Sequence, residues 1–375
     1  MNCSGPVFAE ETRHCGTNKL LRFYLLRADC DQHYIYLKNT AALCLSIRLN
    51  SINPLSLTWP IMPNWKTKLI QAYRLCTMPY RQFRWFNMAR KGQVPVIILF
   101  YHRVADDYPN PWTMSRQDFL NQINWFQENF DIVSLEECQR RITEKNNSRP
   151  TLAITFDDGY AENCEYALPL LVERQIPATY FVTTDHTFNQ KPFGHDVERD
   201  CPLPANTVES LLALDRAGIE IGAHTRTHPD LGSITDERTL VDEVITASLE
   251  LEAAIENKIR YFAFPFGQVP NLNDKVFGML REAGFLGVCS AYGGWNEMGD
   301  DAFHLQRIHG DPNIERMKNW LTYDPRIQSV TRYVPKNESF DKELVQEAIR
   351  STAERSPLLP ATLPFPTQQT PNTLH

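Results

Sequence analysis

Short apolar runs alternate along the chain with longer stretches in which apolar positions recur at helical spacing. The runs predict buried strands at residues 94–101, 152–156, 178–184, 219–223, 261–264 and 285–290. Between them, the helical spacing predicts helices at about 115–129, 161–174, 205–217, 235–257 and 272–283. Strand followed by helix, repeated in this way, is typical of an α/β fold with a parallel sheet and helices outside it.

The flanking segments have a different character. Residues 1–60 show poor periodicity and are expected to be poorly organised or disordered, and residues 61–93 form a basic, aromatic-rich helical segment. The alternating pattern occupies 94–333. A C-terminal extension follows at 334–375, and its last part, 356–375, holds five prolines, which predicts a disordered tail.

Composition narrows the class of protein. The 375 residues carry a formal net charge of −7, which gives no reason to expect nucleic-acid binding. No uncharged apolar run is long enough for a membrane span, and no signal peptide is visible at the N-terminus. The nine cysteines are an odd number without a C-x-x-C pair, which indicates reduced thiols. We therefore expect a cytoplasmic protein, or one peripheral at the membrane.

The positive charge is concentrated before the alternating pattern. No Asp or Glu lies between Gln32 and Ala105, whereas ten Lys and Arg do. In residues 64–92 the bases alternate with aromatic residues. One interpretation is a surface helix that makes peripheral contact with an anionic membrane. The other is a pair of helices, interrupted at Pro79, that pack their aromatic side chains under the following domain with the bases in solvent.

Two motifs at strand ends carry the candidate chemistry. Phe156-Asp157-Asp158-Gly159 ends one predicted strand, and His224-x-x-x-His228 follows another. Since the carboxyl ends of parallel strands meet at one edge, these side chains are expected to converge. Two imidazoles and a carboxylate suit Zn²⁺, Co²⁺ or Ni²⁺ and leave positions for water and substrate. The second carboxylate would then remain free as a base, which is the equipment for hydrolysing an amide or ester.

Three segments, TFDDGY (155–160), HTRTHPDL (224–231) and RYFAFPFG (260–267), resemble the first three motifs of the polysaccharide deacetylase family, also called the NodB-homology family or carbohydrate esterase family 4. The resemblance runs from about Val94 to about His309, and ILFYHRV (98–104) is similar to the branch that acts on exopolysaccharides. It implies a distorted (β/α)7 barrel and a divalent metal, with zinc expected. By position it implies that Asp158, His224 and His228 bind the metal, that Asp157 is the general base, and that the Phe266 N–H helps to hold the oxyanion.

The chain departs from the family pattern at Ala263, where many members have an arginine that orients the catalytic Asp. Arg307 is our candidate substitute, because a strand reading of HLQRI places it near the barrel mouth. His309 is the candidate general acid, by a loose match to the family's fifth motif. Trp295 is the candidate aromatic wall of the fourth motif, with a core tryptophan as the alternative.

Three further residues are weaker candidates for contact with substrate. His102 ends the first apolar run, and either touches substrate or hydrogen-bonds its own loop. His195 and Asp196 lie in the long connection after the strand at 178–184, where loops shape the substrate groove or are simply solvated.

The resemblance implies a metal-dependent hydrolase that removes N-acetyl groups from an exopolysaccharide or cell-wall glycan. Two alternatives stay open. One is an O-acetyl esterase or small-molecule amidohydrolase on the same scaffold, and the other is a non-catalytic glycan-binding relative, which the missing arginine at position 263 keeps in view.

Overall fold

A computed structural model of the protein describes residues 64–324, 330 and 332–355. Expectations about residues 1–60 and about the tail at 356–375 lie outside the described residues. The centre of the fold is a set of parallel strands, which we number β1 (Val96–Tyr101), β2 (Thr151–Phe156), β3 (Ala178–Val182), β4 (Glu220–Ala223), β5 (Tyr261–Ala263), β6 (Gly287–Ser290) and β7 (His304–Gln306 with Ile308–His309).

The last strand closes the sheet into a barrel. Each of β1 to β6 pairs in parallel with the next, and the first half of β7 pairs with β6. Its second half pairs with β1, where Leu99 lies opposite Ile308 and Phe100 opposite His309. The interruption between the two halves falls at Arg307. The predicted distorted (β/α)7 barrel is confirmed.

Helices cover the outside of the barrel. They occur at the positions that the apolar spacing predicts, and further helices occur that the spacing did not predict. The helices are α1 (Asn64–Arg90), α2 (Arg116–Asn129), α3 (Leu135–Glu144), α4 (Ala167–Glu173), α5 (Thr184–Asn189), α6 (Gly194–Val197), α7 (Val208–Arg216), α8 (Glu237–Val241), α9 (Ala247–Ile255), α10 (Asp274–Glu282), α11 (Ile314–Leu321) and α12 (Lys342–Arg355). Short 3₁₀ turns lie at Ala161–Cys164, Leu231–Ser233 and Val269–Asn271, and a π-helical turn, Asp242–Thr246, joins α8 to α9. Two-residue strands occur at Arg103–Val104, Thr113–Met114 and Asp131–Ile132.

The strands are buried on both faces, because the barrel interior lies on one side and the helices on the other. Along β1, Ile97, Leu99 and Tyr101 join the outer cluster with the helices, whereas Val96 and Ile98 join the inner one. Helix α3 adds three apolar side chains to that inner cluster, Leu135, Cys138 and Ile142. The barrel therefore has a packed interior, which supports the edge formed by the carboxyl ends of the strands.

The segment before the barrel is one continuous helix, α1, rather than two. We expected Pro79 to interrupt a single helix here, and that expectation is wrong. A proline removes one hydrogen bond to the carbonyl four residues earlier, which is here that of Leu75. Both Pro79 and Leu75 are exposed, so water can hydrogen-bond the unpaired carbonyl and the helix continues.

The C-terminal extension returns to the barrel. Helix α12 lies against α8, α9 and α10, with Val345 fully buried. Phe340, just before it, packs so closely on Gly278 that a Cβ at this position would lie 2.6 Å from the ring. Within the described residues, no helix combines the length and the apolar character that crossing a bilayer requires. The described cysteines are free thiols.

Candidate active site

The carboxyl ends of the strands bring the predicted site residues to one edge of the barrel. Asp157 and Asp158 directly follow β2, and His224 follows β4. Arg307 lies between the two halves of β7, and His309 belongs to the second half. Asp157, Asp158, His224, Arg307 and His309 are all buried. The site is therefore built from strands far apart in sequence, which the closed barrel holds at fixed positions.

Asp158 lies between the two histidines. Its Oδ1 is 3.5 Å from His224 Nε2 and 3.4 Å from His228 Nε2, and the three atoms form a group that could hold a metal ion. Asp158 Oδ1 is buried and accepts no hydrogen bond. A buried carboxylate oxygen without a partner is costly, so its position indicates a ligand that the polypeptide does not supply.

The orientation of His224 fits a ligand of a cation. Its Nδ1 lies 2.8 Å from the carbonyl oxygen of Ala263. A carbonyl can only accept, so Nδ1 carries the hydrogen and the lone pair of Nε2 faces Asp158. Two ligands of a tetrahedral zinc ion, each at about 2.1 Å, lie about 3.4 Å apart, close to the two distances from Asp158. The donor set and its spacing therefore fit a divalent cation.

Electrostatics favour the ionised form of Asp158. Burial by itself would raise the pKa of this carboxyl, but electrostatic interaction with His102 and contacts with His224 and His228 hold the pKa well below its ordinary value. The site is thus prepared for a positive charge next to Asp158.

Asp157 is held by a buried ion pair with Arg307. Arg307 Nη1 donates to Asp157 Oδ1 at 2.6 Å and Nη2 donates to Oδ2 at 2.8 Å. Burial alone would lower the pKa of Arg307, but the charge of Asp157 raises it above the ordinary value. Arg307 therefore makes the contact that the resemblance assigns to an arginine at position 263, where Ala263 contributes only its backbone carbonyl.

The remaining surface of the Arg307 guanidinium is also occupied. Nε donates to the carbonyl of Ser290 at 3.1 Å and Nη1 to Thr155 Oγ1 at 3.1 Å. The rings of Phe100 and Phe181 pack against the charged group, with centroids 4.8 Å and 5.3 Å from its central carbon. A buried charge with all three of its nitrogens engaged has one well-defined position, which it imposes on Asp157.

Backbone strain is concentrated at this edge. Four residues of the site other than glycine have positive φ: Asp158 (73°), Thr225 (67°), His228 (62°) and Phe266 (60°). Each such residue costs on the order of 1–3 kcal/mol, and a β-branched residue such as Thr225 is especially unfavourable there. Surrounding contacts must therefore hold these loops.

Glu243 provides such contacts for the loop that carries both histidines. One carboxylate oxygen accepts hydrogen bonds from the backbone N–H of Arg226 at 3.0 Å and of Thr227 at 2.9 Å, and the other accepts from Thr227 Oγ1 at 2.7 Å. Glu243 lies on the π-helical turn, and turns of this kind are frequent at functional sites. The sequence analysis missed this residue.

Three aromatic rings, those of His309, His102 and Trp112, lie together near the candidate site. The ring of His309 lies 5.6 Å from that of His102 and 6.1 Å from that of Trp112. Burial lowers the pKa of His309 to about 3, so this histidine is neutral at neutral pH. Burial likewise lowers the pKa of His102. Trp112, which the sequence analysis also missed, is partly exposed beside both histidines.

Phe266 lies beside His228. Its ring is 5.0 Å from that of His228 and 56 % of its surface is exposed. Phe266 and Trp112 therefore present exposed aromatic surface next to the candidate ligands.

His195 and Asp196 are placed differently from the expectation. Asp196 is buried, and it accepts hydrogen bonds from Tyr160 at 2.8 Å and from Asn110 at 3.1 Å. It anchors its loop and has no surface for substrate. His195 is partly exposed, but its Nε2 lies 2.9 Å from the Tyr160 hydroxyl.

Trp295 does not join the site. It is buried against Tyr323, and its neighbour Asn296 exchanges backbone hydrogen bonds with Val96, at the start of β1. The catalytic edge lies at the other end of that strand. The expected role of Trp295 as a wall of the site is therefore wrong, and the alternative of a core tryptophan holds.

Comparison with known proteins agrees with this geometry. Residues 144–288 match the family model for polysaccharide deacetylases, and this range contains Asp157, Asp158, His224, His228 and Phe266. This part of the chain is similar to polysaccharide deacetylases. Arg307 and His309 lie beyond the matched segment of the deacetylase domain, in agreement with the weaker resemblance there.

Curated relatives of the deacetylase domain are distant in sequence. YxkH of Bacillus subtilis is 23 % identical over 228 residues, an alignment that covers 60 % of this chain and 74 % of YxkH. A chitooligosaccharide deacetylase of a Bradyrhizobium species is 28 % identical over 139 residues, 36 % of this chain and 55 % of that enzyme. The chain thus spans about half the length of the second relative.

Two solved structures share the fold. The Streptococcus pyogenes deacetylase PplD, in complex with acetate, superposes with a TM-score of 0.51 at 20 % identity and covers 60 % of this chain and 98 % of its own. IcaB from Ammonifex degensii superposes with a TM-score of 0.50 at 21 % identity and covers 61 % and 98 %.

The buried ion pair predicts a large effect of Arg307→Met. Removing the guanidinium leaves Asp157 buried without its partner, so the free energy of unfolding should fall by about 3–5 kcal/mol. Chemical denaturation measures this change. Arg140→Met, at an exposed arginine that pairs with Glu137, is the control and should leave stability unchanged. Equal effects of the two substitutions would show that the Arg307 contact contributes little.

The contacts of Glu243 predict that Glu243→Gln weakens the binding of a cation, with zinc as the probe, at the candidate site. Glutamine carries no negative charge, so its amide oxygen accepts from the N–H groups of Arg226 and Thr227 more weakly, and the Thr227 hydroxyl must accept where it now donates. We expect zinc affinity to fall about 10–100-fold, as measured by competition with a chelator. Glu209→Gln, the same change at an exposed glutamate on α7, is the matched control. Unchanged affinity in Glu243→Gln would exclude this positioning role.

Proposed function

We propose that the protein is a metal-dependent hydrolase that removes N-acetyl groups from an N-acetylated polysaccharide, either an exopolysaccharide or a cell-wall glycan. The observation that carries the proposal is Asp158 Oδ1, a buried oxygen without a hydrogen bond that faces two imidazole nitrogens. Next to it lies a second carboxylate, that of Asp157, which makes an ion pair with Arg307. We infer that the two carboxylates have different roles.

Asp158, His224 and His228 would hold the cation, for which zinc is the first choice and cobalt or nickel are alternatives. Such a cation supplies Lewis-acid chemistry: it polarises a carbonyl oxygen and lowers the pKa of water to about 7. The hydrogen bond from His224 to Ala263 keeps the Nε2 lone pair available for it.

Asp157 is the proposed general base. Its carboxylate accepts a proton from the water that attacks the acetamide carbon, and a new carbon–oxygen bond forms. The two hydrogen bonds from Arg307 fix the direction of the carboxylate, so that one orientation meets the water. The Phe266 N–H is the proposed donor to the oxyanion of the tetrahedral intermediate.

The leaving nitrogen must gain a proton as the carbon–nitrogen bond breaks. His309 is our sequence-based candidate for the donor, but its lowered pKa means that it holds no extra proton at neutral pH. We therefore assign the transfer to Asp157, which returns the proton that it took from water. Neutral His309 can still hydrogen-bond the leaving group, and acetate and the free amine are the products.

The proposed substrate class draws on two kinds of support. The family and the name of the Bradyrhizobium relative, a chitooligosaccharide deacetylase, favour N-acetylated sugars. Exposed rings of Phe266 and Trp112 beside the site suit the apolar faces of a sugar. Arg307 contacts Asp157 and can orient it in place of an arginine at position 263. The presence of Ala263 at that position therefore no longer favours a non-catalytic relative. Peripheral membrane contact through residues 64–92 remains part of the proposal.

Asp157→Asn tests the assignment of the base. The amide cannot accept the proton of water, so acetate release from acetylated glucosamine polymers should fall about 1,000-fold or more, while bound zinc is retained. His309→Gln should lose less, about 100-fold at most, if Asp157 carries the proton in both directions. Thermal melting of both variants separates chemistry from loss of fold. Full activity of Asp157→Asn would contradict the proposal.

His224→Ala tests the proposed ligand set. Removing one of the three donors should abolish stoichiometric zinc, as measured by elemental analysis of the dialysed protein. His195→Ala is the matched control, because His195 lies nearby in the loop tied to Tyr160 but offers no atom to the group. Undiminished zinc in His224→Ala would remove this residue from the set.

A further inference from the structure

Helix α1 contacts the barrel through polar side chains. Arg81, buried to 1 % exposure, donates to the carbonyl and the side-chain oxygen of Asn319 on α11, at 2.8 Å and 2.6 Å. Arg74 pairs with Glu315 at 3.0 Å, and Thr67 accepts a hydrogen bond from Asn313 at 3.0 Å. These residues of α1 are seven apart, so they lie on one face of the helix.

The opposite face of α1 carries large apolar side chains in solvent. They are Phe83 (63 % exposed), Trp65 (59 %), Leu69 (59 %), Leu75 (56 %), Phe86 (54 %) and Tyr80 (51 %). From Trp65 to Phe86 this outer face is about 30 Å long. An apolar stripe of this size, turned away from the domain while polar groups hold the inner face, marks an interaction surface.

The expected alternative, in which the aromatic side chains pack under the barrel, does not describe this face. Met78, Trp85 and Met88 line a cavity against the barrel. The rings of Trp65, Tyr80, Phe83 and Phe86 are instead more than half exposed. The charge of the helix then limits what can cover the outer face.

Bases line the outer face, and the helix has no acidic residue. Lys66, Lys68 and Arg90 are exposed beside the rings, with Lys66 over Trp65 and Arg90 over Phe86. A second copy of the chain, paired through the same helix, would bring these cations together without an acidic partner. Residues 1–63 hold four Asp and Glu against six Lys and Arg, so they do not complement the charge either.

We propose that the outer face of α1 lies on the surface of an anionic lipid bilayer. Aromatic side chains with apolar bodies and polar edges are suited to the interface between headgroups and acyl chains. Exposed Lys and Arg beside them are attracted to the phosphate groups of anionic lipids. The helix lies in the plane of the interface and does not cross the membrane.

The position of α1 relates this surface to the catalytic edge. Thr67, near the start of the helix, bonds Asn313, which follows His309 closely in the chain. The N-terminal end of α1 therefore lies beside the catalytic edge of the barrel. If the proposed function holds, the substrate is a glycan attached to or emerging from the membrane, but membrane binding itself does not depend on that function.

Sedimentation with vesicles tests the proposal on the full chain. The wild type should bind phosphatidylcholine vesicles that contain about 30 % phosphatidylglycerol at least tenfold more tightly than pure phosphatidylcholine, and salt should weaken binding. The triple variant Trp65→Ser, Leu69→Ser, Phe83→Ser should bind at least tenfold more weakly. Lys66→Gln with Lys68→Gln should reduce binding to the anionic vesicles only.

Matched controls lie elsewhere on the surface. Val334→Ser removes an apolar side chain that is 77 % exposed, and Lys342→Gln removes an exposed lysine on α12; neither should change binding. All of these variants should keep the wild-type melting temperature and the wild-type rate on a soluble substrate. Absence of vesicle binding by the wild type, or equal binding by the triple variant, would overturn the proposal. So would a dimer in sedimentation equilibrium that the triple variant dissolves.

Discussion

The buried ion pair between Arg307 and Asp157 is the interaction on which the catalytic edge depends. Arg307 lies at the interruption of β7, the strand that closes the barrel, and its donors reach β2, β6 and Asp157. Burying a guanidinium is tolerable only when a carboxylate and further acceptors satisfy it. Ring closure, the position of Asp157 and the filling of the barrel interior are therefore linked through one side chain, and Ala263 is free to serve through its carbonyl alone.

Around this fixed centre, the loops hold conformations that cost free energy. Asp158, Thr225 and His228 have positive φ, and the stable barrel beneath them must compensate for that cost. Glu243, outside the barrel, helps to hold the loop that carries His224 and His228, because its carboxylate accepts hydrogen bonds from backbone N–H groups of that loop. One oxygen of Asp158 is left without a hydrogen bond, whereas both oxygens of Asp157 are engaged by Arg307, which is consistent with the different roles proposed for these two adjacent aspartates.

The fold class and the convergence of the main site residues could be predicted from the sequence. Asp157, Asp158 and His224 directly follow strands, and strand ends converge in a parallel barrel. The contact of Arg307 followed from a strand reading of its segment. Trp295 could not be placed, because the turn at Gly293 and Gly294 returns the chain to the start of β1, and periodicity carries no information on such a reversal. Glu243 was missed because a glutamate in an amphipathic helix usually faces solvent. Helix α3 is short, and its apolar spacing at Leu135, Cys138 and Ile142 was overlooked.

The central claim is that Asp158, His224 and His228 hold a cation on which amide hydrolysis depends. The most direct measurement is acetate release from N-acetylated glucosamine polymers by protein stripped of metal with a chelator, before and after one equivalent of zinc, cobalt or nickel is restored. The account predicts negligible release by the stripped protein and recovery in proportion to metal bound. Release that persists in the stripped protein, or stoichiometric metal without release from any acetylated glycan, would contradict it.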